Sequence, residues 1–199
     1  MRIVLIIAAI LALGTFGGYV WLRSANGFSA RSKPTSMESF AARAARKLAL
    51  PAGARDKQNP ISKSQEVLDE AMGHWADHCA ICHGNDGSGK SEMGGLMYPP
   101  APDMRTGETQ KLTDGELFYI IENGIRLTGM PGWGGSEGAA RSSWKLVHFV
   151  RHLTELSPAE IATMERMNPK GPEDRQREED EAVFLNGGTA GNSHEKEHK

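Results

Sequence analysis

The sequence predicts an all-α fold with an N-terminal transmembrane helix and a charged, partly disordered C-terminal tail. Three observations predict it. An uncharged apolar run extends from Ile3 to Leu22, several segments after Pro60 carry helix-capping signals with apolar faces, and no stretch alternates apolar and polar residues as a half-buried strand would.

The apolar run follows Met1-Arg2 and has about the 20 residues a helix needs to cross a hydrocarbon layer. It closes on Tyr19, Trp21 and Arg23, residue types that suit a membrane interface. A cleaved signal segment is the competing reading. Its apolar region normally has roughly 7–15 residues and a small-x-small site after it, whereas this run is longer and only Ala25-Asn26-Gly27 follows. An anchor over residues 1–23 is therefore the expectation. Arg23, Arg31 and Lys33 outnumber the positive charges before the run, so the flanking charges alone do not send the following chain outward.

Residues 24–60 read as a linker. Within it Ser36 to Leu50 is helical in pattern, with Phe40, Ala44 and Leu48 on one face and Arg43, Arg46 and Lys47 around it. Such a helix can lie on an anionic membrane surface, and a solvated linker helix is the plainer expectation. Pro51 ends it, and Pro60 opens the main domain, residues 61–156.

In that domain Ser62 and Gln65 form a capping-box pattern ahead of Val67, Leu68, Ala71, Met72 and Trp75. Thr113 with Glu116 repeats the pattern before Leu117, Ile120 and Ile121, and Asn123-Gly124 stops that helix. A further helix carries Trp144, Leu146, Val147, Phe149, Val150 and Leu153, and Ser157-Pro158-Ala159-Glu160 caps a short one after it. Between the first two, Gly84 to Gly107 is rich in glycine and proline. A loop so long in a small domain needs something to fill its middle. Residues 157–199 continue past Asn168 into a charged stretch, Glu173 to Glu181, and the end "SHEKEHK", for which disorder or a loosely docked helix is expected.

The 199 residues allow one modest core. A net charge of −2 with 23 basic and 25 acidic residues gives no nucleic-acid footprint. The chain has 2 cysteines, Cys79 and Cys82, which excludes a disulfide framework and concentrates the thiol chemistry in one place. They lie in "CAICH", residues 79–83, the attachment pattern for c-type haem. Two thiols separated by two residues can each add to a haem vinyl group, and a histidine directly after them reaches the iron from the same side. A thioredoxin-like pair would sit near a βαβ pattern, which is missing. A zinc site needs four ligands, and no second Cys or His pair follows at finger spacing.

Residues 62–155 resemble a class I cytochrome c domain, carried by "HCAICHGNDGSG" and "TGMPGW", which are similar to small bacterial membrane-linked members. The resemblance implies an all-α class I cytochrome c fold in which the helix leading into the haem motif crosses a C-terminal helix. It places a small residue and an aromatic at Ala71 and Trp75, against Leu146, Phe149 and Val150 on the later helix. It also implies one covalent haem on Cys79 and Cys82, with His83 as one axial ligand. Met93, Met97, Met104 and Met130 are the candidates for the other. A Gly-Met-Pro loop is a poor place for core filler, and the family sets its distal methionine in such a loop, so Met130 is expected on the iron. Met93 and Met97 then serve as haem-contacting or loop residues.

Ligating histidines usually donate their second nitrogen to an oxygen. One carbonyl of Pro99, Pro100 and Pro102 is expected to accept from His83, with Pro100 the choice. Trp133 either bonds a haem propionate or packs. His74, His148 and His152 lie on helices, where polar or interfacial roles are expected; the spacing of His148 and His152 makes only a weak metal pair.

With both axial positions filled, the iron passes single electrons and offers no open site. The expected function is electron transfer between redox partners, as an independent carrier or a subunit of a larger oxidoreductase, with no enzyme activity of its own. Because the family acquires its haem after export, the resemblance also implies an inner-membrane protein with the haem domain on the periplasmic side. Two alternatives stand beside it: a peroxidase-like enzyme if Met130 is not a ligand, and a metal-handling or redox-sensing module using His194 and His198.

Overall fold

The computed structural model describes residues 2–24 and 29–186. His194 and His198 lie outside the described residues, so the metal-handling expectation is not addressed by the fold. Among the described residues the architecture is entirely helical.

Helix α1, Arg2–Arg23, is long and apolar enough to cross a membrane, and none of its side chains is buried. At about 1.5 Å per residue it is matched to a hydrocarbon layer. Helix α2, Ser36–Ala49, begins at a reciprocal box: Thr35 N donates to Glu38 Oε2 at 2.7 Å, and Glu38 N donates to Thr35 Oγ1 at 3.2 Å. Leu50 is extended, as a residue before proline prefers, and the helix stops there. The following stretch already belongs to the packed unit. Ala54 is buried, Lys57 sits 5.6 Å over the Phe118 ring, and Asn59 Nδ2 donates to the Trp144 carbonyl at 2.9 Å.

The first domain helix, α3, spans Gln65–His74. Its cap is Ser64, whose hydroxyl accepts from Val67 N at 3.2 Å, rather than Ser62. The Ser62–Gln65 box does not form because Ser64 takes the cap and the helix starts at Gln65, whose Nε2 donates forward to Asp69 at 2.8 Å. At Trp75–Cys79 the helix widens into a π-turn, then resumes as α4, Ala80–His83. Two short helices, α5 (Glu92–Leu96) and α6 (Gly107–Gln110), interrupt the long loop.

Helix α7, Asp114–Asn123, starts at the Thr113–Glu116 box and ends at Gly124. Helix α8, Glu137–His152, is capped by Ser136, and α9, Pro158–Met167, by the Ser157–Glu160 box. Helix α10, Pro172–Leu185, occupies the charged stretch.

The core forms where α3 packs on α8, with α7 and α9 against the same cluster. Ala71 from α3, Trp75 from the turn that follows it, and Leu146, Phe149 and Val150 from α8 are all at most 3% exposed. Ala71 lets the two backbones approach, and the Trp75 and Phe149 rings meet at 5.5 Å. Burial of such side chains contributes roughly 1.5–3 kcal/mol each, so this crossing is what fixes the end of α3, where the cysteines begin. Arg151 ties α8 to the start of α7 by donating to Asp114 Oδ1 and to the carbonyls of Gln110 and Leu112.

Candidate haem site

Cys79, Cys82 and His83 leave one turn of chain at the end of the α3–α4 segment. Residues three and four apart share a helix face, so Cys79 lies on the side of Cys82 and on that of His83, and the three groups sit within one turn. Both cysteines are free. Burial, with a smaller contribution from Cys82, pushes the Cys79 thiol up to about 12, and burial raises Cys82 as well. These are neutral thiols at physiological pH. A disulfide-exchange pair needs the opposite shift, toward thiolate, so the redox reading of the CxxC pair fits poorly.

The turn is braced from outside its own helix. Ser91 Oγ donates to the carbonyls of Ile81 at 2.7 Å and Cys82 at 2.8 Å, and accepts from Gly94 N at 2.9 Å. Gly94 is pressed on the Cys82 carbonyl, where any Cβ would collide with it. Trp75 Nε1 donates to the Gly84 carbonyl at 3.1 Å, closing the motif against the core.

His83 lies 5.8 Å from the Trp75 ring, and its Nδ1 is buried without a well-formed hydrogen bond. Burial pushes its pKa down, and the adjacent Pro102 carbonyl pulls it back up. A neutral imidazole with one nitrogen free to ligate is what a metal requires. The carbonyl beside His83 is thus that of Pro102, two residues beyond the expected Pro100. The chain path explains the difference: Ala101 N bonds the Gly94 carbonyl at 3.1 Å and Met104 N bonds the Gly87 carbonyl at 2.8 Å. Those two bonds draw the segment between them across the motif loop, while Pro100 remains exposed.

Met130 sits in the connection between α7 and α8, half-buried. The loop is closed by backbone bonds, Ile125 N to the Met130 carbonyl at 3.1 Å and Trp133 N to the Ile121 carbonyl at 3.0 Å, and by Met130 N on Thr128 Oγ1 at 3.1 Å. Gly124 has φ +66°, and a Cβ there would lie 2.6 Å from the Met130 carbonyl oxygen. Only glycine meets both demands.

Two contacts tie this loop to the attachment turn. Trp133 stacks on His78 at 5.2 Å between centroids and 13° between planes. The Met97 sulfur occupies the space that a Cβ on Gly129 would fill. Met97 caps α5, the same helix that presses on Cys82. Neither contact has a sequence pattern that would reveal it. Of the two roles expected for Trp133, packing is visible: besides the stack it leans on the core cluster. Met93 is exposed on α5.

The other histidines have separate partners. His148 Nε2 pairs with the Ile61 carbonyl and His152 Nε2 with Glu160 Oε1, each at 2.7 Å, while the His74 ring meets His78 edge-on at 4.8 Å. Among the described residues no group of three or more His, Cys, Asp or Glu is placed to hold a metal ion. The donor set therefore suits a haem, which brings its own equatorial nitrogens, better than a bare cation.

The sequence model of the family described as cytochrome C oxidase, cbb3-type, subunit III matches residues 66–150. No curated protein matches the chain. The matched span runs from the first turn of α3 to near the end of α8 and includes both the CxxCH turn and the methionine loop: residues 66–150 are a c-type cytochrome domain, built for haem-based electron transfer.

Proposed function

We propose that this chain is a membrane-anchored, single-haem electron carrier, with the haem held covalently by Cys79 and Cys82 and its iron ligated by His83 and Met130. The observation that carries the reading is the bridging of the two ligand-bearing segments: the His78–Trp133 stack and the Met97–Gly129 contact bring the methionine loop to the attachment turn.

The haem supplies a reversible one-electron iron centre. The protein does the rest. Thioether bonds from the two half-buried, neutral thiols would fix the orientation of the group. The Pro102 carbonyl stands beside the buried His83 ring, and the neutral imidazole would offer a nitrogen to the metal. Trp75, Phe149 and the α8 side chains would keep water from the group, and the Met130 thioether together with the His83 imidazole would raise its reduction potential and block small ligands. A centre with both axial positions filled passes electrons and has no place for substrate.

Helix α1 supports retention in the inner membrane with the haem domain on the periplasmic side, where c-type haem is attached. The oxidase name of the matching family supports a place as a subunit of a respiratory complex. Donor and acceptor are then redox proteins that reach the exposed haem edge.

The deciding experiment is on the haem-loaded chain. The wild type should show the weak near-infrared sulfur-to-iron band when ferric and resist carbon monoxide when ferrous. Met130→Ala should lose the band, lower the potential and admit carbon monoxide, while Met93→Ala leaves all three unchanged. A wild-type protein that binds carbon monoxide readily and turns over peroxide would replace the carrier with an enzyme.

A further inference from the structure

Helix α2 presents its faces in the reverse of the order expected for a helix that merely joins two parts of a soluble surface. Met37, Phe40, Ala41, Ala44 and Leu48 recur at helical spacing and form one stripe. Met37 is 79% exposed, Phe40 69% and Leu48 86%. The polar side is the one turned to the domain. The Tyr98 hydroxyl lies beside the Glu38 carboxylate, and Arg43 Nη1 stands 3.6 Å from Glu108 Oε1. The helix is held by its charged edges with its apolar stripe facing away from the protein.

Two further observations say what covers that stripe. Residues 24–35 connect α1 to α2, and a connection of that length spans at most about 40 Å even when fully extended. If α1 crosses a membrane, α2 cannot leave its neighbourhood. From Arg23 to Leu50 the chain also carries 6 basic residues, Arg23, Arg31, Lys33, Arg43, Arg46 and Lys47, against 1 acidic residue, Glu38, in a protein whose overall net charge is −2. Basic residues bordering an apolar stripe are the pattern of a helix lying in the headgroup region of anionic lipid.

We propose that α2 is a second membrane attachment: it lies flat in an anionic phospholipid surface with Met37, Phe40 and Leu48 in the acyl boundary, and through Tyr98 and Glu108 it sets the tilt of the haem domain. The inference rests on the anchor reading of α1. Tyr98 and Glu108 belong to the 84–110 stretch that wraps the attachment turn, so an orientation imposed on α2 is passed to the face that carries the haem. One helix alone would leave the domain free to swing on its tether. Two attachments hold one edge toward partners in the same membrane.

The test uses the haem-loaded full chain in lipid nanodiscs containing phosphatidylglycerol. Nitroxide labels are placed singly through Met37→Cys, Leu48→Cys and, as control, Ser39→Cys, and collision with oxygen is compared with collision with an aqueous nickel chelate. Labels at 37 and 48 should favour oxygen several-fold over the label at 39. Adding Phe40→Ser should return the Met37 label to an aqueous environment while the disc still retains the chain. Equal aqueous exposure at all three positions in retained protein overturns the proposal. So does shielding that arises only when membrane proteins are added to the discs, which would make the stripe a protein-docking face. Failure of the discs to retain the wild-type chain would instead overturn the anchor.

Discussion

The attachment turn and the methionine loop are held in opposite ways. Cys79, Cys82 and His83 are placed by one continuous helical segment whose start is buried in the α3–α8 crossing, and Ser91 and Gly94 brace its carbonyls. Met130 is placed by a loop whose shape comes from its own backbone bonds and whose position depends on two side-chain contacts made far along the chain. The first arrangement is local and survives many changes elsewhere. The second is tertiary, so the distal side of the site should be the softer one.

The largest effect should come from the local side. Replacing both Cys79 and Cys82 with alanine should abolish haem staining on a denaturing gel, and either single change should leave one thioether and a shifted pyridine spectrum. Equal loss from each single variant would show that the turn acts as one unit rather than as two independent bonds.

Gly124→Ala comes next. It forces a Cβ toward the Met130 carbonyl at a residue with positive φ, so it should destabilise the fold by about 1–3 kcal/mol. The comparison is sharpened by asking what is lost first. Thermal melting followed at the near-infrared band should fall further than melting followed by far-UV circular dichroism.

The His78–Trp133 stack should couple by about 0.5–1.5 kcal/mol in a double-mutant cycle, the range for such ring pairs. Trp133→Ala should also weaken the sulfur-to-iron band with His83 ligation intact. A cycle that sums to zero would remove this contact from the account of how the loop is positioned.

The smallest effect is one of acid stability. Burial works to raise Glu160, but the Ser157 backbone and hydroxyl and the His152 ring outweigh it, and its carboxyl falls from the ordinary 4.5 to about 2. A depressed carboxyl stabilises the fold fully above its ordinary value, and the contribution is lost as pH falls from about 4.5 toward 2. Glu160→Gln should flatten acid unfolding in that window and cost about 0.5 kcal/mol at neutral pH, measured by denaturant titration.

What the sequence discloses follows the same division. Capping boxes are short-range chemistry, so Thr113–Glu116 and Ser157–Glu160 mark their helices from residue types alone, whereas the helix opened by Thr35–Glu38 is marked only by its apolar face. Ser62–Gln65 misplaces the start of α3 because a second serine, Ser64, competes for the cap and Asp69 takes the glutamine. The CxxCH turn is legible because its whole geometry lies within five residues. The choice between Pro100 and Pro102 is not, since it turns on where two backbone bonds to Gly87 and Gly94 pull the chain. The stack of Trp133 on His78 joins residues far apart in sequence, and no spacing rule reaches that far.

The π-turn at Trp75–Cys79 amounts to a phase shift written into the backbone. Up to His74 the helix faces α8. One residue of extra winding then rotates everything downstream by roughly 100° relative to an uninterrupted α-helix. The helix that packs on α8 and the turn that carries the cysteines can therefore be phased separately within what is otherwise one rod. Deleting a single residue from 76–78 would regularise the helix and still leave Trp75, Cys79, Cys82 and His83 in the chain, yet it would turn both thiols away from the pocket. The spacing of the motif would be perfect and the protein colourless.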